Sequence, residues 1–236
     1  MLLTKLHIPS TSEDLVHRAG LFERLNDGLN RKLILISAPA GFGKTTIISD
    51  WIHHCEIPTA WFSLDKGDND PAIFLSYIIS GIQNIRKEFG QSALELLKSP
   101  KEPNSESITS LLINDILSIN QDFLLVLDDF HLVNSSEILV IVTYLLEHIP
   151  ENIHIVILSR SDPNLPIAKL RSQGQLVELR SDDLSFSAND ISILFNKKFK
   201  IKLSTADIYS LETKHRRCRR HAPQDSLPGT RRMDHR

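Results

Sequence analysis

A three-layer α/β/α sandwich around a mostly parallel five-stranded sheet is the fold class this sequence predicts, and three observations predict it. Four short apolar runs, Leu33-Ile34-Leu35-Ile36, Thr59-Ala60-Trp61-Phe62-Ser63-Leu64, Phe123-Leu124-Leu125-Val126-Leu127 and His154-Ile155-Val156-Ile157-Leu158, are nearly continuous, as strands covered on both faces must be. Segments with helical spacing, 44–54, 71–89, 105–119 and 136–148, alternate with these runs. Such alternation implies right-handed crossovers between parallel strands. Between the first strand and the first helix lies Ser37-Ala38-Pro39-Ala40-Gly41-Phe42-Gly43-Lys44-Thr45-Thr46, a glycine-containing turn at the carboxyl end of a strand. Open α/β sheets bind their ligands at that end.

The elements follow from local pattern. In the segment 71–89, Ile73, Phe74, Tyr77, Ile78, Gly81, Ile82 and Ile85 recur three or four residues apart and share one helix face. A fifth, weaker strand is expected at Leu176-Val177-Glu178-Leu179. The stretch 90–105 is rich in polar residues and proline and is expected to be a linker. The stretch "DLSFSANDISILFNKKF" predicts a turn and then a helix capped by Ser187 or Asn189, the start of a helical lid. The expected division is the α/β domain over 1–188, the start of the lid over 189–214 and a basic tail over 215–236.

Composition limits the function classes. The chain has 236 residues, 41% hydrophobic and 24% charged, enough for one large globular domain or one domain plus the start of another. No apolar run approaches the roughly eighteen residues of a membrane span, and Lys5, His7 and Pro9 break the N-terminal apolar start, so neither membrane insertion nor secretion is expected. Cys55 and Cys218 lie far apart and suggest neither a disulfide framework nor a zinc site. A cytoplasmic location is the simplest expectation. The net charge of -2 is uneven, because the last 22 residues hold seven arginines against Asp225 and Asp234. Residues 1–214 are distinctly acidic, a poor surface for a phosphate backbone, so no DNA binding is expected of them.

The chemistry concentrates in three places. The stretch 37–46 ends in Gly-Lys-Thr directly after a buried strand and at a helix start, the setting of a phosphate-binding loop. Backbone amides of Gly41, Phe42, Gly43 and Lys44 are placed to encircle a phosphate, Lys44 to reach the β- and γ-phosphates, and the Thr45 hydroxyl to bind Mg²⁺. The usual first glycine is replaced by Ala38, tolerable if its φ is negative; Pro39, Ala40 and Thr46 complete the loop. The second place is Asp128-Asp129, at the end of an apolar strand. Asp128 is expected to act on the metal, and Asp129 to orient or activate a hydrolytic water as a catalytic group alongside Lys44. The third is Ser159-Arg160 at the end of the fourth strand. Arg160 is either a sensor of nucleotide state or a structural arginine paired with Asp162 or Asp183. Trp61 is expected in the core. Asp65, Asp68 and Asp70 form either a solvated acidic turn or a loop positioned near the site, and His53-His54-Cys55 diverge too much on a helix to hold a metal.

Taken together, "LLTKLHIPS", "LVHRAGLFERLNDGL", "APAGFGKTT", "AWFSLDKGDND", "LVLDDFHLV", "SRSDPNLP" and "LRSQGQLVELRSDDLSFS" resemble the N-terminal ATPase domain of MalT-like, LuxR-type large transcriptional activators, a branch of the STAND class of P-loop ATPases. The resemblance covers about residues 2–213 and implies the strand order 5-1-4-3-2. It implies an ATP/ADP-driven switch with Mg²⁺, slow hydrolysis and self-association in the ATP form, with Val16 and Arg18 helping to enclose the adenine. In such proteins a helical segment, a superhelical sensor and a helix-turn-helix follow. The resemblance stops after Lys214, where relatives continue with a Thr-Glu-Gly-x-x-Gly-x-x-Leu-like motif. One set of codons able to encode His215 to Gln224 is CAC CGA AGG TGT CGC AGG CAT GCA CCT CAA. Read without the first nucleotide it gives Thr-Glu-Gly-Val-Ala-Gly-Met-His-Leu, so a one-nucleotide frameshift after residue 214 is expected, against a genuine basic tail. The alternatives to a regulatory switch domain are a stand-alone P-loop ATPase and an inert nucleotide-binding remnant.

Overall fold

The computed structural model describes residues 1–12, 15–99, 104–201 and 203–211; the expected frameshift junction and basic tail lie outside them. Five strands form the sheet: β1 (Leu33–Ser37), β2 (Thr59–Ser63), β3 (Phe123–Asp128), β4 (Ile153–Ser159) and β5 (Leu176–Arg180). All four pairings are parallel, in the order β2-β3-β4-β1-β5, which is the expected order read from the other edge. The helices are α1 (Ala19–Asp27), α2 (Lys44–Cys55), α3 (Pro71–Gln83), α4 (Gln91–Leu97), α5 (Ser105–Leu117), α6 (Ser136–His148), α7 (Ile167–Ser172) and α8 (Ala188–Phe199). None of the described helices is long and apolar enough to cross a membrane.

The near-continuous apolar strands divide their side chains between two cores, because successive residues of a strand point to opposite faces. Leu33, Leu35, Phe62, Phe123, Leu125, Leu127, Ile155 and Ile157 pack with α3, α5 and α6. Ile34, Ile36, Trp61, Leu124, Val126, Val156, Leu158 and Leu179 pack with α1 and α2. Trp61 is a core residue as expected, with its indole N–H donating to Ser63 Oγ at 2.8 Å.

Two expectations need correction. The helix starting at Pro71 ends at Gln83 rather than running to 89. There Gln83 Nε2 donates to the Phe89 carbonyl at 2.8 Å, the chain turns, and Phe89 enters the core. The expected linker contains α4: Gly90 adopts left-handed backbone (φ 72°), Asp115 accepts its N–H at 3.0 Å, and the helix that follows buries Ala93. Its apolar residues are too few to show a period, so only their packing on the neighbouring core reveals the helix.

The chain divides into two compact units, Met1–Leu184 and a second beginning at Ser185. In the second, Ser187 caps α8: its Oγ accepts from the Asp190 N–H at 3.1 Å, while the Asp190 carboxylate accepts the Ser187 N–H at 2.9 Å. The cap is therefore Ser187, not Asn189.

Candidate functional site

Three strand ends converge at the carboxyl edge of the sheet. Within the first unit, Ala40, Gly41, Gly43, Lys44, Thr45, Thr46, Asp129 and Arg160 line a cavity of about 360 Å³. The sequence thus places residues from β1, β3 and β4 exits that the fold brings to one hollow.

The loop before α2 is shaped by glycine. Gly41 (φ 80°) and Gly43 (φ 75°) both take left-handed backbone, which other residues enter at a cost, and a Cβ at either would meet nothing within 4 Å. Conformation rather than crowding requires glycine there. Gly43 caps α2 without a side-chain acceptor, so the first amides of the helix are left for an external acceptor. Together with the helix dipole they favour an anion. Ala38 is not among the described residues with positive φ, meeting the condition for its replacing glycine. It is buried, its N–H donates to the Ser159 carbonyl at 3.2 Å, and neither it nor Pro39 nor Phe42 lines the cavity.

Lys44 is 8% exposed, and its Nζ donates to the carbonyls of Ala38 at 2.7 Å and Pro39 at 3.1 Å. Among the described residues no carboxylate comes within ion-pairing distance of it. Burial lowers its pKa, against the attraction of Asp129 and Asp128. Thr45 donates its hydroxyl to Asp128 Oδ2 at 3.0 Å, and Asp128 Oδ1 accepts the Asp129 N–H at 2.8 Å. Burial and the adjacent Asp129 charge raise the Asp128 carboxyl above the usual range. A hydroxyl and a carboxylate oxygen in contact, in a place that disfavours negative charge, suit a small hard cation that completes its shell with water and phosphate oxygens. The residues present therefore fit Mg²⁺.

Asp129 itself takes left-handed backbone (φ 55°, ψ 35°) and its carboxylate stays in contact with solvent. Arg160 lines the cavity and pairs with neither rival acid. Asp162 is held by Arg180 and accepts the Ser37 hydroxyl at 2.8 Å, while Asp183 is paired with Arg24 at 2.5 Å. Ser159 donates to the Ser161 carbonyl at 2.5 Å and shapes the turn instead of facing the cavity. Val16 is buried, and Arg18 donates to the carbonyls of Leu184 at 2.8 Å and Asp183 at 3.1 Å. Both lie off the cavity lining.

Asp65 and Asp68 pair with Lys5, and Asp70 caps α3, so this acidic turn is neither fully solvated nor part of the cavity. His53 and His54 turn their Nδ1 atoms to the carbonyls of Ser49 and Asp50, and no metal-holding group of three occurs among the described residues. Sequence reasoning gave no role to His131, whose Nδ1 lies 3.7 Å from Asp129 Oδ1, nor to the Ser37-Asp162-Arg180 tie between β1 and β5. Proximity to Asp129 along the chain was the one signal for His131. The tie joins residues from three strand exits and has no local signature.

Compared with curated proteins, the chain is 35% identical over 196 residues, 83% of its length, to the HTH-type transcriptional regulator MalT of Klebsiella pneumoniae subsp. pneumoniae. The chain is homologous to the N-terminal region of MalT. MalT of Cronobacter sakazakii is 34% identical over the same length. The chain spans 22% of the length of these relatives. No protein-family model matches it. Among solved structures, Cdc6p of Pyrobaculum aerophilum superposes with a TM-score of 0.53 at 16% identity, covering 85% of this chain and 54% of that one. The parallel sheet, its strand order and its flanking helices are those of a P-loop NTPase fold.

Proposed function

We propose that this chain forms the ATP- and ADP-binding switch domain of a MalT-type transcription regulator. The observation that carries the reading is Lys44: a buried ammonium whose partners among the described residues are only main-chain carbonyls, beside a helix N-terminus that also favours an anion. Burying an uncompensated charge is costly, and a polyphosphate in the cavity offsets that cost at both groups. Mg²⁺, when bound, neutralises phosphate charge; Thr45 and Asp128 are the residues that would hold it.

The remaining groups take roles in slow hydrolysis. Asp129 accepts a proton from water as the water oxygen bonds to the γ-phosphorus. The bond from that phosphorus to the β–γ bridging oxygen breaks, and its electron pair leaves on ADP. Arg160 senses whether a γ-phosphate is present. Val16 and Arg18 border the adenine, and the ATP form self-associates. Homology to MalT supports the regulatory setting, with inducer response and transcriptional output residing in the longer regulator.

Titration calorimetry with Mg·ADP and Mg·ATP tests the reading. The wild-type chain should bind both, and Lys44→Ala should lose detectable binding. Unchanged affinity in Lys44→Ala would remove the site. Size-exclusion chromatography in ATP and in ADP checks self-association, which predicts a larger species in ATP alone.

A further inference from the structure

His131 is the cavity neighbour that this scheme leaves unused. The left-handed backbone at Asp129 bends the chain as it leaves β3, and the 3-10 turn Phe130–Leu132 follows. Phe130 is sealed in the core at 1% exposure, which fixes where the turn sits. The result brings His131 back against Asp129. Its Nδ1 lies 3.7 Å from Asp129 Oδ1, and that nitrogen is buried with no hydrogen-bond partner among the described residues. Buried polar atoms are nearly always satisfied, so an orphan one beside a carboxylate in a ligand cavity calls for an explanation.

Charge around the ring defines its form. Burial and the positive charge of Arg160 lower the pKa of His131, Asp129 opposes them, and Lys44 adds to the lowering. The neutral imidazole then has one N–H, free to reside on Nδ1. At 3.7 Å the contact is too long for a hydrogen bond, and closing it takes a shift of roughly 1 Å. Asp129 has that freedom, because its side chain is 46% exposed. Phosphates beside Lys44 would repel its carboxylate, and His131 is a donor within reach to hold it.

We propose that His131 is a positioning residue for Asp129: its Nδ1–H donates to the Asp129 carboxylate when a nucleoside triphosphate occupies the cavity, and fixes that carboxylate for the attacking water. The proposal rests on the assignment of the cavity to nucleotide and of Asp129 to water activation. His131 supplies orientation; the proton balance of hydrolysis is that given for Asp129.

The test uses the full chain under single-turnover conditions, with protein in excess over radiolabelled ATP and Mg²⁺, alongside ADP titration. His131→Ala should slow hydrolysis about tenfold or more while ADP affinity stays within about twofold. His131→Asn, whose side-chain N–H falls near the place of Nδ1, should recover most of the rate, and His131→Gln, whose N–H falls near Nε2, should not. In an Asp129→Ala background, His131→Ala should cost nothing further. Independently of turnover, long-range ¹H–¹⁵N NMR with a non-hydrolysable ATP analogue should show the Nδ1–H tautomer, and Asp129→Ala should shift its resonance. An Nε2–H tautomer in that complex, a wild-type rate in His131→Ala, or equal loss in the Asn and Ala variants would overturn the proposal. Failure of the underlying reading looks different: ADP binding would survive Lys44→Ala, or turnover would survive Asp129→Ala.

Discussion

Lys5 and Lys44 are both lysines drawn largely out of water, and the molecule treats them in opposite ways. Lys5, in the N-terminal 3-10 turn Leu3–Leu6, is 13% exposed and meets Asp65 and Asp68, each at 2.7 Å. Burial works against its charge, yet the hydrogen bonds that its ammonium donates to the two carboxylates outweigh burial and raise its pKa. Among the described residues no carboxylate lies in ion-pairing range of Lys44, and burial prevails, lowering its pKa. The Lys5 cluster also accounts for its other groups: Asp68 Oδ2 accepts the Asp65 N–H at 2.7 Å, and the Leu2 N–H donates to the Tyr77 hydroxyl at 2.8 Å. A cluster satisfied from within holds the N-terminus against the fold. A cluster left in need of an anion identifies a place for a ligand.

The comparison breaks most visibly at Asp68, which is 2% exposed. Asp68→Ala leaves Lys5 with only the exposed Asp65, and removing one partner of a buried pair costs about 3 kcal/mol. Urea denaturation should show that loss while ADP affinity, measured on folded protein, stays unchanged. A stable Asp68→Ala chain would mean that the Lys5 cluster is not structural.

At the cavity the expected losses are functional. Asp129→Ala should retain nucleotide binding and lose about a hundredfold in turnover, as for removal of a general base; undiminished phosphate release would end that role. A smaller effect is expected at Arg160, which has no acid partner among the described residues to lose. Arg160→Ala should reduce the preference for ATP over ADP by about tenfold, measured by competition, with little change in melting temperature.

The smallest effect sharpens the contrast through pH. Burial, with Asp129, raises the Asp128 carboxyl in the folded chain. A folded-state value above the unfolded one means that Asp128 contributes stability in acid and that this contribution is lost as pH rises through the raised value. Asp128→Asn, neutral throughout, should therefore melt slightly higher than wild type near neutral pH and converge with it toward about pH 4. Its nucleotide binding should respond less to Mg²⁺. Equal melting at neutral pH would show that Asp128 carries no cost awaiting a cation.

Much of the fold was legible along the chain because the strands are buried on both faces and so stand out as unbroken apolar runs. The order of the strands was not fixed by that alternation, since crossover rules set handedness and not order; it came from the resemblance to P-loop ATPases. Gly41, Gly43, Lys44 and Thr45, which line the cavity, were legible as a Gly-x-Gly-Lys-Thr turn directly after an apolar strand, and Asp128 and Asp129 because they terminate an apolar run. The true end of α3 and the presence of α4 were not, since each depends on which distant core accepts Phe89 or Ala93. Nor could the chain show whether Asp162 pairs with Arg160 or with Arg180, because those acids and bases compete across strand exits.

By itself, the sequence determined the sheet, its crossovers and the chemistry carried on each strand end, because hydrophobic period and loop spacing are local properties of a chain. Tertiary structure alone decided which charges are satisfied. Lys5 finds acids 60 and 63 positions away, Lys44 finds the carbonyls of its own loop, and His131 is left facing Asp129 across 3.7 Å. Pairing depends on distance and burial in space, and those exist only once the strands have brought their ends together.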